Sequence, residues 1–215
     1  MQNLLLIIAV LSAVLYGALY IGRAPTLGRT ASKTLAIAAL ALFAAFAEAP
    51  MLLVLGLIFS ALGDLFLSRD GDKVFLAGMA AFFTAHVAYI LQFISLGSAG
   101  DILGGRLPAA GVMILFTGLI YRFLWPGLGS FRVPVALYSL AILGMGLSAL
   151  DLPMSGPTFW ILIGAGLFVL SDSVLAIEKF HLTEVSHLNQ IAQHIVWITY
   201  WLAQASIMFG VIKAV

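Results

Sequence analysis

The chain has 215 residues, 63% hydrophobic and 9% charged, with a mean hydropathy of +1.14 and a formal net charge of +1. A soluble domain carries about 25% charged residues, so this composition excludes a soluble globular fold and predicts an integral membrane protein. With no cysteine, disulfides, thiolate catalysis and cysteine-bound metal are excluded as well.

A hydrocarbon core about 30 Å thick takes about 20 apolar residues per helical crossing. The charge-poor runs fall at residues 4–21, 34–47, 51–67, 74–96, 108–124, 133–150, 158–177 and 188–212, which predicts eight spans. The runs are continuously apolar, and a backbone in lipid must satisfy itself within a helix or a closed barrel, so the fold class is all-α. The first run has no positive residue before it and no small-residue cleavage site after it, and reads as a span. Lys33 opens the second, after "RAPTLGRTASK". As a cation beside a loop it either sets topology or, with Arg29, holds a lipid phosphate.

The third run carries Asp64 in "GLIFSALGDLFLSRDGD", and the seventh carries Asp172 in "GAGLFVLSDSVLAIEK". A carboxylate inside a span costs about 2.5–3.5 kcal/mol by insertion scales and marks a functional site by default. The bland alternative is a helix-end pair with Arg69, Lys73 or Lys179. In the fourth run Phe82, His86, Tyr89 and Phe93 share one helical stripe, as do Gln193, Trp197, Tyr200 and Gln204 in the eighth. Both stripes are expected to face inward. His181 and His187 sit in the polar loop "EKFHLTEVSHLN" and read as solvated.

Most Lys and Arg lie at the loops that follow odd-numbered spans. Arg106 and Lys213 lie opposite. The positive-inside rule then places both termini outside, with the basic loops in the cytoplasm and the chain in a bacterial inner membrane. A shift of 108 residues superposes Gly56 on Gly164, Leu62 on Leu170, Gly63 on Ser171, Asp64 on Asp172 and Leu67 on Leu175. This predicts one domain, residues 1–215, as a four-plus-four repeat with halves near 1–105 and 106–215. Even-numbered halves enter the membrane in the same direction. Asp64 then lies about 8 Å inside Arg69 and Asp172 about 10 Å inside Lys179, just under the same headgroups. His86 corresponds to His194 by distance from the aspartates, or to Gln204 by local pattern; the second register fits better.

No cofactor motif is present, and no nucleic-acid patch, glycine-rich phosphate loop or GxSxG elbow. A metal held by His86, His194, Asp64 and Asp172 lacks any recognisable ligand spacing. A proton-coupled transporter of a small amphiphile and a metal-dependent lipid amidase or esterase remain as rival classes.

The stretches "SALGDLFL", "AAFFTAHVAYI", "YSLAILGM", "LFVLSDSVLAIEKF" and "TYWLAQASI" resemble the YhhN family, whose characterised members are lysoplasmalogenases, eight-span membrane hydrolases. The resemblance implies hydrolysis of the vinyl ether bond of a lysophospholipid, releasing a fatty aldehyde and a glycerophospho-alcohol. It implicates Asp64, His86, Tyr89, Tyr138, Ser171, Asp172, Tyr200 and Gln204 as the polar intramembrane set, and it matches Lys33 although the proline that often follows is Thr34 here. Asp64 and Asp172 are the implied acid and base, sharing one proton. The other residues bind or orient the substrate, with Lys33 at its phosphate.

Overall fold

A computed structural model describes residues 1–97, 105–153, 156–182 and 186–215. Among these residues the chain forms eight α-helices: α1 (Gln2–Leu19), α2 (Leu27–Phe46), α3 (Met51–Leu67), α4 (Asp72–Ser95), α5 (Leu107–Leu124), α6 (Arg132–Leu150), α7 (Thr158–His181) and α8 (His187–Ala214). Two 3-10 turns, Trp125–Gly127 and Gly129–Phe131, join α5 to α6. Seven helices are long and apolar enough to cross a membrane, and α3, with 17 residues, is the short one. The protein is an integral, multi-pass membrane protein.

The second span starts earlier than hydropathy suggests. Gly28, Arg29, Thr30, Ser32 and Lys33 dilute the apolar signal, yet Thr26 caps the helix by accepting the Arg29 amide at 3.1 Å. Lys33 therefore lies in the second turn of α2 instead of opening it.

Exposed Leu4, Ile7, Leu11 and Val14 of α1 and Leu115 and Leu119 of α5 show which surfaces meet lipid. Helices α2, α3, α4, α7 and α8 supply most of the interior, with α3 on α4 and α7 on α8 as the most intimate pairs. Lipid is as apolar as leucine, so such contacts depend on close approach of small residues. A Cβ on Gly56 of α3 would collide with the Tyr89 ring of α4. One on Gly164 of α7 would lie 2.9 Å from the Ala203 carbonyl oxygen and 2.7 Å from Ile207 of α8. Helix α5 is peripheral: of its 18 residues only Ala110 and Leu124 are buried.

At one end of the bundle lie the loops carrying Arg23 and Arg69 and the turn Trp125–Gly127. At the other, Arg106 donates to the carbonyls of Leu150 and Leu152 at 2.5 and 2.6 Å, tying the start of α5 to the end of α6.

Candidate active site

A cavity of about 600 Å³ opens between the loops at the basic end and reaches down to Asp64, Ser171, Asp172 and Tyr200. Arg23, Arg29, Arg69 and Lys179 surround its outer part. Its size suits a polar headgroup with glycerol, within the usual range of about 300–1,000 Å³ for ligand sites.

Each aspartate holds its own set of partners. Asp64 lies in the last turn of α3, where the run Leu57, Ser60, Ala61, Asp64 faces inward at helical spacing. Its Oδ1 is 3.3 Å from Lys33 Nζ of α2, and its Oδ2 accepts the Tyr200 hydroxyl of α8 at 2.7 Å. Asp64 is 1% exposed and the Lys33 side chain 15%, so the pair is largely shielded from water, a setting in which a bare charge would be costly. The Lys33 ammonium also rests over the Tyr16 ring, 5.8 Å from its centroid.

Asp172, on α7, accepts the Tyr138 hydroxyl of α6 on Oδ2 at 2.8 Å, and the same oxygen faces His86 Nε2 of α4 at 3.6 Å. His86 Nδ1 lies 2.6 Å from the Phe82 carbonyl. A carbonyl only accepts, so Nδ1 carries the hydrogen, and Nε2, which has no hydrogen-bond partner, is turned toward Asp172. The two aspartates thus differ in kind: one faces a lysine, the other a phenol and an imidazole.

Phe168 lies between the two partner sets. Fully buried on α7, its ring lies 4.7 Å from that of His86 and 5.5 Å from that of Tyr200.

The remaining expected residues are divided between wall and support. Ser171 lines the cavity and donates to the Val196 carbonyl at 3.1 Å. Tyr89 and Gln204 bond to each other at 2.5 Å, both fully buried, and neither lines the cavity; they clamp α4 to α8 beneath it. Lys33 pairs with Asp64 and lines the cavity as well. Both stripes face inward: Phe82, His86, Tyr89 and Phe93 are buried, as are Trp197, Tyr200 and Gln204, while Gln193 is half-buried and lines the cavity.

His194 is exposed and its Nδ1 turns to the Gln190 carbonyl of its own helix, so it does not converge with His86 and the aspartates. Among the described residues no group of three or more His, Asp or Glu is placed to hold a metal. His181 and His187 are exposed, as expected, although both lie on helix ends and His181 stacks near Phe123 at 4.3 Å.

Sequence reasoning missed Tyr16, Phe168 and the Glu178 to Gln193 hydrogen bond of 3.0 Å at the cavity wall. Glu178 looks like an ordinary charge near a loop. Only its inward neighbours on α7, Leu175 and Ser171 at helical spacing, signal that it faces the cavity.

A buried polar cluster in a lipid-embedded bundle, with two unlike carboxyl environments in one cavity, narrows the comparisons. The YhhN family model matches residues 28–211. The chain belongs to the YhhN family. All the residues discussed above from Arg29 to Gln204 lie within that match, and Tyr16 outside it. Among curated relatives, a protein named lysoplasmalogenase TMEM86A from Bos taurus is 36% identical over 133 residues, covering 58% of this chain and 52% of its own. A protein named lysoplasmalogenase from Mycobacterium tuberculosis is 30% identical over 161 residues, covering 74% and 59%. Human lysoplasmalogenase TMEM86A is 29% identical over 166 residues, covering 74% and 64%. The matches thus span roughly half to two thirds of the length of these family members. No solved structure matches the chain.

Proposed function

We propose that this protein is a lysoplasmalogenase-type hydrolase, cleaving the vinyl ether of an alkenyl glycerophospholipid to a fatty aldehyde and a glycerophospho-alcohol. The observation that carries this reading is the pair Asp64 and Asp172, in one cavity but with opposite partner sets. The names of the relatives in the family support it.

A vinyl ether, R–CH=CH–O–R′, reacts by protonation of the carbon remote from oxygen, which leaves an oxocarbenium ion. That carbon belongs to the hydrocarbon chain, so the acid must lie on the tail side of the site and the base on the headgroup side. Asp172 lines both the polar cavity and an adjoining apolar cleft, whereas Asp64 lines the polar cavity alone. Asp172 is therefore assigned the acid role and Asp64 the base.

Asp172 gives its proton to the chain carbon. Asp64, a carboxylate opposite Lys33, stabilises the cation and takes a proton as water adds to the carbon bearing oxygen. The hemiacetal then collapses: its hydroxyl proton returns to Asp172, Asp64 gives its proton to the departing glycerol oxygen, and the C–O bond breaks as the aldehyde forms. Both carboxyls regain their starting states and one water is consumed. This is the two-carboxylate logic of glycosidases applied to an enol ether. Tyr138 and His86 orient Asp172, Tyr200 orients Asp64, and Ser171 fixes the wall.

The basic end is assigned to the cytoplasm by its Arg and Lys excess, so the substrate is drawn from the inner leaflet of a bacterial plasma membrane with both termini outside. The four-plus-four duplication is supported by corresponding close approaches: Gly56 meets Tyr89 and Gly164 meets Ile207, consistent with the register that pairs His86 with Gln204. The test of function is to incubate purified protein with a lysoplasmalogen and with its saturated ether analogue. Aldehyde is expected from the first only; none from either refutes the assignment.

A further inference from the structure

The apolar cleft beside the cavity shares Leu67, Phe75, Phe82, Asp172 and Leu175 with it and is otherwise lined by Met79 of α4 and by residues of α5, α6 and α7. Among the described residues, Asp172 is the one carboxylate that lines it. Of its other polar walls, Tyr138 donates to Asp172, and Thr117 donates to Met113 and Ser173 to Val169 within their own helices; Ser139 is the fourth. The outer wall is α5, through Phe116, Thr117, Ile120 and Leu124, and α5 is the most weakly held helix of the bundle. Its opposite face is turned to lipid, and a Cβ on Gly111 or Gly118 would touch nothing within 4 Å.

We propose that this cleft is a lateral portal through which the hydrocarbon chain of the substrate passes from the site, beneath α5, into the bilayer. The proposal rests on the hydrolase reading and adds the route. A lysolipid cannot place its whole chain in the 600 Å³ cavity, whose described lining includes five Lys and Arg and four Asp and Glu side chains, because every methylene moved from lipid into a wet, charged space costs transfer free energy. The cleft measures only about 70 Å³, room for a few methylenes. The rest of the chain must continue outside the protein, and the loosely held α5 is the wall that yields to let it through. With the glycerophospho group in the cavity and the chain in the cleft, the vinyl ether sits at their junction, which is Asp172.

Thr117→Trp narrows the passage from α5 without touching either aspartate, and Ser139→Leu narrows it from α6. Both are assayed on a hexadecenyl lysolipid and on a butenyl analogue short enough to fit inside the site. Each variant is expected to lower kcat/KM for the long chain by about tenfold or more and for the short chain by less than about twofold. Ile120→Ala, which widens the cleft, leaves the long-chain rate equal or higher. Equal effects on both chain lengths, or none, overturn the portal. A wild-type protein that turns over neither substrate overturns the hydrolase reading, and the portal with it.

Discussion

Replacing Lys33 by glutamine tests what its charge is for. The Lys33 to Asp64 contact is 3.3 Å long, between groups 15% and 1% exposed. At an effective dielectric of about 20 the Coulomb attraction at that distance is about 5 kcal/mol. Breaking one side of a buried pair typically costs about 3–5 kcal/mol, because the other charge is left without compensation. If about 3 kcal/mol of this reaches the transition state, kcat falls by roughly a hundredfold. Because Lys33 acts on Asp64, the fall should be the same for a lysoplasmalogen and for an alkenyl glycerol that lacks the phosphate. Lys33→Arg should recover part of it. In thermal unfolding, Lys33→Gln combined with Asp64→Asn should be more stable than the sum of the single losses predicts. A rise in KM confined to the phosphorylated substrate, with kcat unchanged, would refute this reasoning and return Lys33 to the role of phosphate ligand.

The remaining predictions probe each half of the site and the scaffold. Asp172→Asn and Asp64→Asn should each reduce aldehyde release by at least about a thousandfold in protein that elutes and melts like wild type; appreciable turnover in either removes it from the chemistry. His86→Gln should lower kcat about 10- to 100-fold with little change in KM, as befits a residue that acts through Asp172, while exposed His194→Ala leaves both unchanged. Gly164→Ala forces a Cβ to 2.9 Å from the Ala203 carbonyl oxygen and 3.0 Å from the Ile207 nitrogen, backbone atoms that cannot rotate aside. Overpacking of this kind costs about 1–3 kcal/mol, so the melting temperature should drop, whereas Gly166→Ala, which meets nothing within 4 Å, should leave it unchanged.

The parts of the site legible in the sequence were those that violate the logic of a membrane span. Asp64 and Asp172 stand out because a carboxylate among leucines demands a reason, and the two aromatic stripes because helical spacing gathers His86 or Tyr200 with large rings on one face. Helix pairing across the bundle was not legible. Nothing in the local pattern says that Lys33 meets Asp64 or that Tyr138 meets Asp172, since each contact depends on the rotation of two helices distant in sequence. The start of α2 was misplaced because polar residues held by a threonine cap look like loop to a hydropathy count. Phe168 was invisible for the opposite reason: a phenylalanine within an apolar run carries no signal until the histidine and tyrosine on either side of it are seen in space. The difference between the two carboxyls likewise arises from which cavity each wall belongs to.

The central claim is that a fixed group, Asp172, delivers a proton to the hydrocarbon chain of a vinyl ether. Turnover in heavy water, with mass and chiral analysis of the aldehyde trapped as it forms, tests this most directly. One deuterium on a single face of the carbon beside the carbonyl, together with a slowed rate, is expected. Equal labelling of both faces at an unchanged rate would contradict delivery from a positioned carboxyl.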